Sequence, residues 1–306
     1  MKVLIATDGS AEATTAMNAA CGLLKKDERE VHVLCVAPQF SRPGAAHRSG
    51  GLYERYRRRI LPETQQILER AHQDLCAEGV SALTLTEIGS PARVITALTA
   101  DYDLTVIGPK GRRERSAVGL GPVASRVVEH GKGAVLIGRD LKANDSGVRV
   151  LLALDGSEAS FEALDTLAAM FDLDAAEVTL MHVMETPWVH LGFEEDWLGN
   201  PEKPDEQSEP DTQFEPNFQL EANELLREGA KRLRPFDATV TMLVEQGNPA
   251  NEILSEADRG EYDLIVLGRT GARDLKHEML GSVSMKVAWQ ANCSVLLVSD
   301  APVALA

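Results

Sequence analysis

A chain of 306 residues can bury two domain cores, and its formal net charge of −16 repels nucleic acid and anionic membrane surfaces. The 44% hydrophobic and 25% charged residues are typical of a soluble globular protein, and no segment approaches the length of a membrane span. The amino terminus, MKVLIATDGS, lacks the long apolar region of a secretory signal, so we predict a cytoplasmic location. Four cysteines without a C-x-x-C pair predict reduced, buried thiols rather than a metal cage or a disulfide framework.

One set of segments occurs twice along the chain. Residues 3–10 form an apolar run that ends in Asp-Gly-Ser, and residues 150–157 repeat that run with the same ending. Four further pairs follow in the same order, namely residues 31–36 with 178–183, 89–92 with 247–250, 102–108 with 262–268, and 134–137 with 294–298. Repetition on this scale indicates duplicated domains, so we predict one domain over residues 1–139 and a second over residues 148–306. The polar stretch between them is typical of a linker.

Short β-branched runs alternate with longer segments of helical period in each half. The apolar residues with helical spacing are Ile67, Leu68, Ala71 and Leu75 in the first half and Leu225, Leu226, Ala230 and Leu233 in the second. Strands that are buried on both faces have continuous apolar sequences, so the alternation predicts an α/β fold with a parallel sheet covered by helices. We expect five strands in each half.

The two halves differ most after the second strand of each. Residues 41–59 carry six arginines, whereas residues 194–215 are rich in Asp, Glu and Pro. The acidic segment has too little apolar content to pack firmly, so we expect a mobile surface loop there. A solvated surface explains either segment alone, and their opposite charges also allow the two to attract each other across the domain pair.

A glycine-rich stretch follows the fourth strand of the second half. Its glycines are Gly268, Gly271 and Gly281, and Ser282 comes directly after the last of them. Glycine lets a ligand approach the backbone closely, so a loop of this kind between a buried strand and a helix can aim several N–H groups at an anion. We predict a phosphate-binding loop that ends at the positive end of a helix dipole. Simple turns would also explain the glycines, and a helix cap would explain Ser282.

Three motifs in this order resemble those of the universal stress protein family. They are Asp155-Gly156-Ser157, Gly247-x-Pro249-Ala250 and Gly268-x₂-Gly271-x₉-Gly281-Ser282, the last with the spacing of the family's ATP-binding members. The whole chain resembles a tandem member of that family. The resemblance implies two similar Rossmann-like domains, each a five-stranded parallel sheet of order 3-2-1-4-5 with helices on both faces. It places nucleotide at the carboxyl ends of strands one and four, where open α/β sheets generally bind ligands. It also implies that the domains pair through their last strands, residues 135–137 against residues 295–298.

The resemblance implies that the second domain holds ATP. Asp155 and Val183 would lie near the adenosine, and the residues around the phosphates and ribose would be Gly268, Gly271, Gly281, Ser282, Val283 and Ser284. The Asp155 carboxylate could also support Mg²⁺ that bridges the phosphates, because this ion usually needs only one or two protein carboxylates. As an alternative, Asp155 would be a cap of the helix that begins near Glu158.

The first half keeps the glycine spacing but has Pro122 where the second half has Ser282. Proline has neither an amide hydrogen nor a hydroxyl, so two possible phosphate donors are lost, although it suits the first turn of a helix. We therefore expect a degenerate nucleotide site in the first domain. Its loop is also more basic, and we interpret Lys110, Arg112, Arg113 and Arg115 as solvated surface charges rather than as compensation for the proline.

The sequence offers no reaction centre. It contains no G-x-x-x-x-G-K-[ST] loop, no G-x-G-x-x-G after the first strand and no G-x-S-x-G nucleophile elbow, so we assign no catalytic and no metal-ligating residue. We predict an ATP-binding stress-response or regulatory protein, with a slow ATP hydrolase and a nucleotide-free interaction scaffold as alternatives. Its partners would be an adenine nucleotide and an unidentified protein, without nucleic acid or membrane, and a homodimer stays open.

Overall fold

The computed structural model describes residues 1–26, 29–38, 50–112, 119–142, 147–185, 215–271 and 280–299. The elements of the first domain are β1 (Lys2–Ala6), α1 (Ala11–Leu23), β2 (Glu30–Pro38), α2 (Gly50–Ala77), β3 (Ala82–Gly89), α3 (Pro91–Leu98), β4 (Leu104–Ile107), α4 (Pro122–His130) and β5 (Ala134–Ile137). Those of the second are β6 (Arg149–Ala153), α5 (Glu158–Met170), β7 (Glu177–Met184), α6 (Glu215–Leu233), β8 (Thr239–Gln246), α7 (Pro249–Arg259), β9 (Leu264–Gly268), α8 (Ser282–Gln290) and β10 (Ser294–Val298).

These ten strands form one sheet in the order β3-β2-β1-β4-β5-β10-β9-β6-β7-β8. Strands within each domain run parallel in the order 3-2-1-4-5, whereas β5 and β10 pair antiparallel with Leu136 opposite Leu296. The predicted fold class and the pairing of the last strands are confirmed. Because the junction is antiparallel, the carboxyl ends of the strands of one domain lie at the opposite edge of the sheet from those of the other.

The central strands of the sheet are buried on both faces, whereas the edge strands β3 and β8 are largely exposed. Every residue of β4, β5, β9 and β10 is buried, which explains why these strands have apolar sequences without alternation. One face packs against α1, α2, α5 and α6, with Leu75 and Leu226 in its core. The other packs against α3, α4, α7 and α8, with Val127 and Val287 in its core. Each of the two cores contains residues of both domains, so apolar packing is continuous across the junction.

Two cationic side chains also join the domains, and each donates a hydrogen bond to the carboxyl end of a helix in the other domain. Arg139, just after β5, donates hydrogen bonds to the carbonyl oxygens of Ala288 (3.0 Å) and Cys293 (2.9 Å), in and just after the last turn of α8. Burial lowers the pKa of the Arg139 guanidinium. On the other face, Lys25 Nζ donates to the carbonyl of Ala168 at 2.8 Å, in the last turn of α5. Both cations therefore satisfy carbonyls that a helix leaves without partners at its carboxyl end.

The four cysteines are free but lie in different environments. Cys35 and Cys293 are buried, and burial is the main cause that raises the pKa of each thiol to about 11. Cys76 is exposed, so the prediction of a buried thiol is wrong at this position. The preceding residue, Leu75, points into the core, and the next residue of a helix lies about 100° further round the axis.

The charged segments after β2 and β7 lie mostly outside the described residues. The basic segment continues into α2, where Arg58 and Arg59 are exposed, and the acidic segment ends where α6 begins at Glu215. The mobile loop and the attraction between the segments therefore stay predictions. Of the helices that are described, none is long and apolar enough to cross a membrane.

Candidate functional site

The Asp-Gly-Ser turn after β6 leads directly into α5. Oδ1 of Asp155 accepts hydrogen bonds from the backbone N–H (2.9 Å) and the hydroxyl (2.5 Å) of Ser157. Oγ of Ser157 in turn accepts from the N–H of Ser160 at 3.1 Å and caps the helix. The alternative interpretation of Asp155 as the helix cap is therefore wrong, because Ser157 is the cap and Asp155 holds that serine in place.

The neighbouring strand β7 brings Val183 beside this turn. The β6–β7 ladder ends with Ala153 opposite Met181, so Asp155 and Val183 follow two residues further along their parallel strands. Val183 is half-buried. The residue before it is His182. Its Nδ1 lies 2.7 Å from the carbonyl oxygen of Leu154, so this ring nitrogen is paired with the backbone. An apolar residue and a carboxylate hence both lie at the carboxyl edge of the sheet, on neighbouring strands.

The first two glycines of the predicted phosphate loop have structural reasons to be glycine. A Cβ on Gly268 would lie 2.8 Å from the backbone carbon of Ala159, so glycine here allows α5 to pack closely on the end of β9. A Cβ on Gly271 would lie 3.2 Å from Oδ2 of Asp155. The loop therefore returns to the Asp155 carboxylate, and the structure brings these two predicted site residues together. Residues 272–279, the middle of the loop, lie outside the described ranges.

The third glycine begins α8. Gly281 is the N-cap residue, with φ −63° and ψ 151°, and among the described residues no side chain is seen to cap this helix. Ser282 is the first helical residue and is exposed, so its interpretation as the cap is wrong. Val283 is half-buried, and the buried Ser284 donates its hydroxyl to the carbonyl of Gly268 at 2.7 Å. Ser284 can thus offer a ligand its backbone N–H, like the other residues of a first helical turn.

The first domain repeats this arrangement with Ala124 in place of Ser284 and with two further changes that affect the predicted ligand site. Asp8 accepts hydrogen bonds from the N–H groups of Ser10 (3.0 Å) and Arg112 (2.8 Å), which ties its glycine loop to the first strand. Gly121 is the N-cap of α4, with φ −72° and ψ 166°, close to the values at the start of α8. The first change is Pro122, which is the first helical residue and is exposed. The backbone is therefore kept, while one N–H and one hydroxyl are missing.

The second change is Arg112, whose side chain lies over the Asp-Gly-Ser turn. Its Nη1 donates to Oε1 of Glu63 on α2 at 2.9 Å, and its Nη2 lies 2.6 Å from where a Cβ of Gly9 would be. The matched turn glycine, Gly156, has only Leu225 within 4 Å of that point, at 3.8 and 4.0 Å, as far as the described residues show. Arg112 is thus not simply the solvated charge that we predict from the sequence. In the sequence, this role of Arg112 is indicated by one difference between the repeats, because the second half has alanine at the matched position.

Sequence reasoning missed Arg269, the residue that follows β9. It is only 6% exposed, and its guanidinium reaches the first domain. It donates to the carbonyl oxygen of Glu129 at 2.8 Å and to that of Gly131, both at the carboxyl end of α4. The signal was again a mismatch between the repeats, because the first half has Pro109 at the matched position.

Comparisons with known proteins agree with this architecture. The model of the universal stress protein family matches residues 1–139 and 148–299. A universal stress protein of Mycolicibacterium smegmatis is 26% identical over 308 residues, which cover 97% of this chain and 96% of that protein. One from Methanocaldococcus jannaschii is 32% identical over 154 residues, which cover 49% of this chain and 81% of the relative. A solved universal stress protein of Archaeoglobus fulgidus superimposes with a TM-score of 0.65 at 20% identity, over 98% of both chains. The chain therefore belongs to the universal stress protein family, with two such domains in tandem.

Proposed function

We propose that this chain is a stress-response regulator that binds ATP in its second domain. The observation that carries the proposal is the start of α8, where the N-cap residue is a glycine without a capping side chain and Ser282 is exposed. The first N–H groups of a helix have no partner within the helix, and the helix dipole adds positive potential there. Such a start favours an anion, and it lies on the same loop that contacts Asp155 through Gly271.

The described residues fit the separate parts of an adenine nucleotide. The phosphates would accept hydrogen bonds from the N–H groups of Ser282, Val283 and Ser284, with the Ser282 hydroxyl as a further donor. The adenosine would lie near Val183 and Asp155, where an apolar surface meets a carboxylate. Mg²⁺, if bound with the nucleotide, would neutralise phosphate charge, and Asp155 would be its protein ligand.

The first domain would bind nucleotide weakly or not at all. Pro122 removes one backbone donor and one hydroxyl from the start of α4. The pair of Arg112 with Glu63 places a guanidinium against Gly9, the turn that corresponds to the open turn of the second domain. A nucleotide would have to displace that guanidinium before it could lie along the turn.

The test compares two matched substitutions, Gly281→Val and Gly121→Val. Both glycines have backbone angles that any residue adopts, so each change places a branched side chain at the helix start without backbone strain. Gly281→Val should weaken ATP binding by about a hundredfold or more, because charge-assisted hydrogen bonds contribute about 1.5–3 kcal/mol each. Gly121→Val should change it little. Isothermal titration calorimetry with ATP and Mg²⁺ measures both affinity and stoichiometry.

The same measurements separate the alternatives. Equal losses from the two substitutions would contradict the assignment to the second domain. A wild-type chain that binds no ATP would be a nucleotide-free scaffold. Turnover on the order of one per second or faster would instead indicate a hydrolase, for which the described residues supply no group to orient the attacking water.

A further inference from the structure

Arg269 connects the candidate phosphate loop of the second domain to the first domain. We propose that it is a positioning residue, which holds the start of α8 in its binding geometry by docking on the end of α4. The affinity of the second domain for phosphates would then depend on its contact with the first. This inference rests on the proposed function above and adds a specific role for the domain that does not bind nucleotide.

The backbone of Arg269 holds both ends of the loop. Its N–H donates to the carbonyl of Val298 on β10 at 2.7 Å, and its carbonyl accepts from the N–H of Gly281 at 2.7 Å. Gly281 is the residue that caps α8 and precedes the N–H groups that would face phosphate. A shift of Arg269 would therefore move the start of α8 relative to the sheet.

The side chain of Arg269 is held by the other domain. Helix α4 runs in the opposite direction to the strands of its domain, so its carboxyl end lies at the amino ends of those strands. Because the junction is antiparallel, that end lies beside the loop of the second domain. The last carbonyls of a helix lack partners within it and carry its negative partial charge. The guanidinium donates to two of these carbonyls, of Glu129 and Gly131. Because it is buried there, it acts on phosphate through the backbone of the loop.

The first domain lacks this connection at its own loop. Pro109 accepts a hydrogen bond from the N–H of Gly121 at 2.8 Å, so the closure of the loop is the same. Proline has no N–H and no side-chain donor. Pro109 therefore cannot form the two other attachments of Arg269, which are made by its backbone N–H and by its side chain. The second domain thus has the helix start that suits phosphate, and its loop is also the one that is anchored to the neighbouring domain.

The chain contains a matched control in Arg139. This guanidinium is half-buried at the domain junction and donates to the carbonyl of Ala288 in the last turn of α8 and to that of Cys293 beyond it, but Arg139 lies outside the glycine loops. Arg269→Met and Arg139→Met each remove a guanidinium and keep an apolar stem. Both should lower the midpoint of thermal unfolding. If Arg269 positions the loop, only its substitution should change the affinity for phosphates.

The experiment measures ATP and adenosine binding to the full-length wild type and both variants by titration calorimetry. Arg269→Met should weaken ATP binding at least about fivefold, as expected for coupling between sites, and leave adenosine binding within about twofold. Arg139→Met should leave both affinities within about twofold. Arg269→Lys, which keeps the charge and a donor, should restore part of the affinity for ATP.

Three results would overturn the inference. ATP affinity that is unchanged in Arg269→Met would show that the anchor does not position the loop. Equal losses in both Met variants, or an equal loss of adenosine, would indicate general loosening of the junction. A wild type that binds neither ligand would refute the nucleotide proposal itself, and this inference with it. Should the Met variants not fold, Arg269→Lys and Arg139→Lys provide the same comparison with milder changes.

Discussion

Matched positions of the two domains differ in a few residues that lie at the candidate site. The start of the last helix has Ser282 in one domain and Pro122 in the other, and the residue after the first glycine of the loop is Arg269 or Pro109. The strand next to the Asp-Gly-Ser turn has His182 or Cys35. These exchanges keep the backbone and change the side chains around the candidate site. The first domain therefore lacks the N–H and hydroxyl donors of Ser282, and it has the guanidinium of Arg112 over its turn.

Thiol reactivity tests the environments of the cysteines. With Ellman's reagent at pH 8, Cys76 should react fastest because it is exposed, and Cys35 and Cys293 should react only on unfolding. Their burial raises the pKa of both thiols to about 11, so thiolate is scarce at that pH. Mass spectrometry of the labelled peptides identifies the sites, and Cys76→Ser should remove the fast phase. Rapid labelling of Cys35 in the native protein would contradict the structure.

The same two thiols predict how stability depends on pH. Their pKa rises on folding from 9.0 to about 11, so the folded chain keeps protons that the unfolded chain releases in this window. The contribution is fully present below pH 9 and is lost as the pH rises towards 11. The free energy of unfolding should fall less steeply across this window in Cys35→Ala than in the wild type. Urea denaturation at a series of pH values measures the difference.

At the scale of elements, the start of α4 has Pro122 and Ala124 where that of α8 has Ser282 and Ser284, and the loop before α4 carries Arg112. Pro122 removes donors, and Arg112 covers the turn at Gly9. Since the backbone angles of the two N-cap glycines are similar, the lost site should be recoverable by side-chain changes alone.

Pro122→Ser combined with Arg112→Ala should therefore create a second ATP site. The serine restores an N–H and a hydroxyl, and the alanine, which is the residue at the matched position of the second domain, uncovers the turn. Titration calorimetry should show the stoichiometry rise from one to two. Pro122→Ser alone is the control and should leave it at one. A stoichiometry that stays at one in the double variant would mean that the donors of the helix start are not sufficient.

The elements themselves could be predicted from the sequence because their signals are local. Apolar runs such as residues 264–267 and the helical spacing around Leu75 predict β9 and α2 directly, and the repeat sets their order. The caps could not be predicted in the same way. In Asp-Gly-Ser both polar residues are good caps, and the choice of Ser157 depends on where the backbone enters α5. Long-range contacts of Arg112 and Arg269 depend on packing between elements distant in sequence.

At the scale of the whole molecule, the two domains share both hydrophobic cores and one sheet. Leu136 and Leu296 face each other across the junction, and both are fully buried. Such an interface resembles the interior of one domain more than a contact between two. The pairing was predicted from the resemblance to the family, whereas the continuity of the cores follows only from the structure.

Heating should therefore unfold the chain in a single cooperative transition. Leu136→Ala in the first domain and Leu296→Ala in the second should each shift that whole transition downwards, with a loss of about 2–5 kcal/mol as is usual for buried leucine. Differential scanning calorimetry checks both points. Two separate peaks, of which each substitution moves only one, would show that the domains unfold independently.

The antiparallel β5–β10 junction has a consequence for how such a protein can diverge. When two identical chains meet about a two-fold axis, every substitution appears in both partners, so the pair cannot keep one site and discard the other. Here the partners are joined in one polypeptide, and Pro122 and Arg269 each occur once. The unequal halves are always present in equal amounts, and their association is intramolecular. Their pairing is thus independent of how much of the protein a cell contains, and dilution cannot separate the two domains.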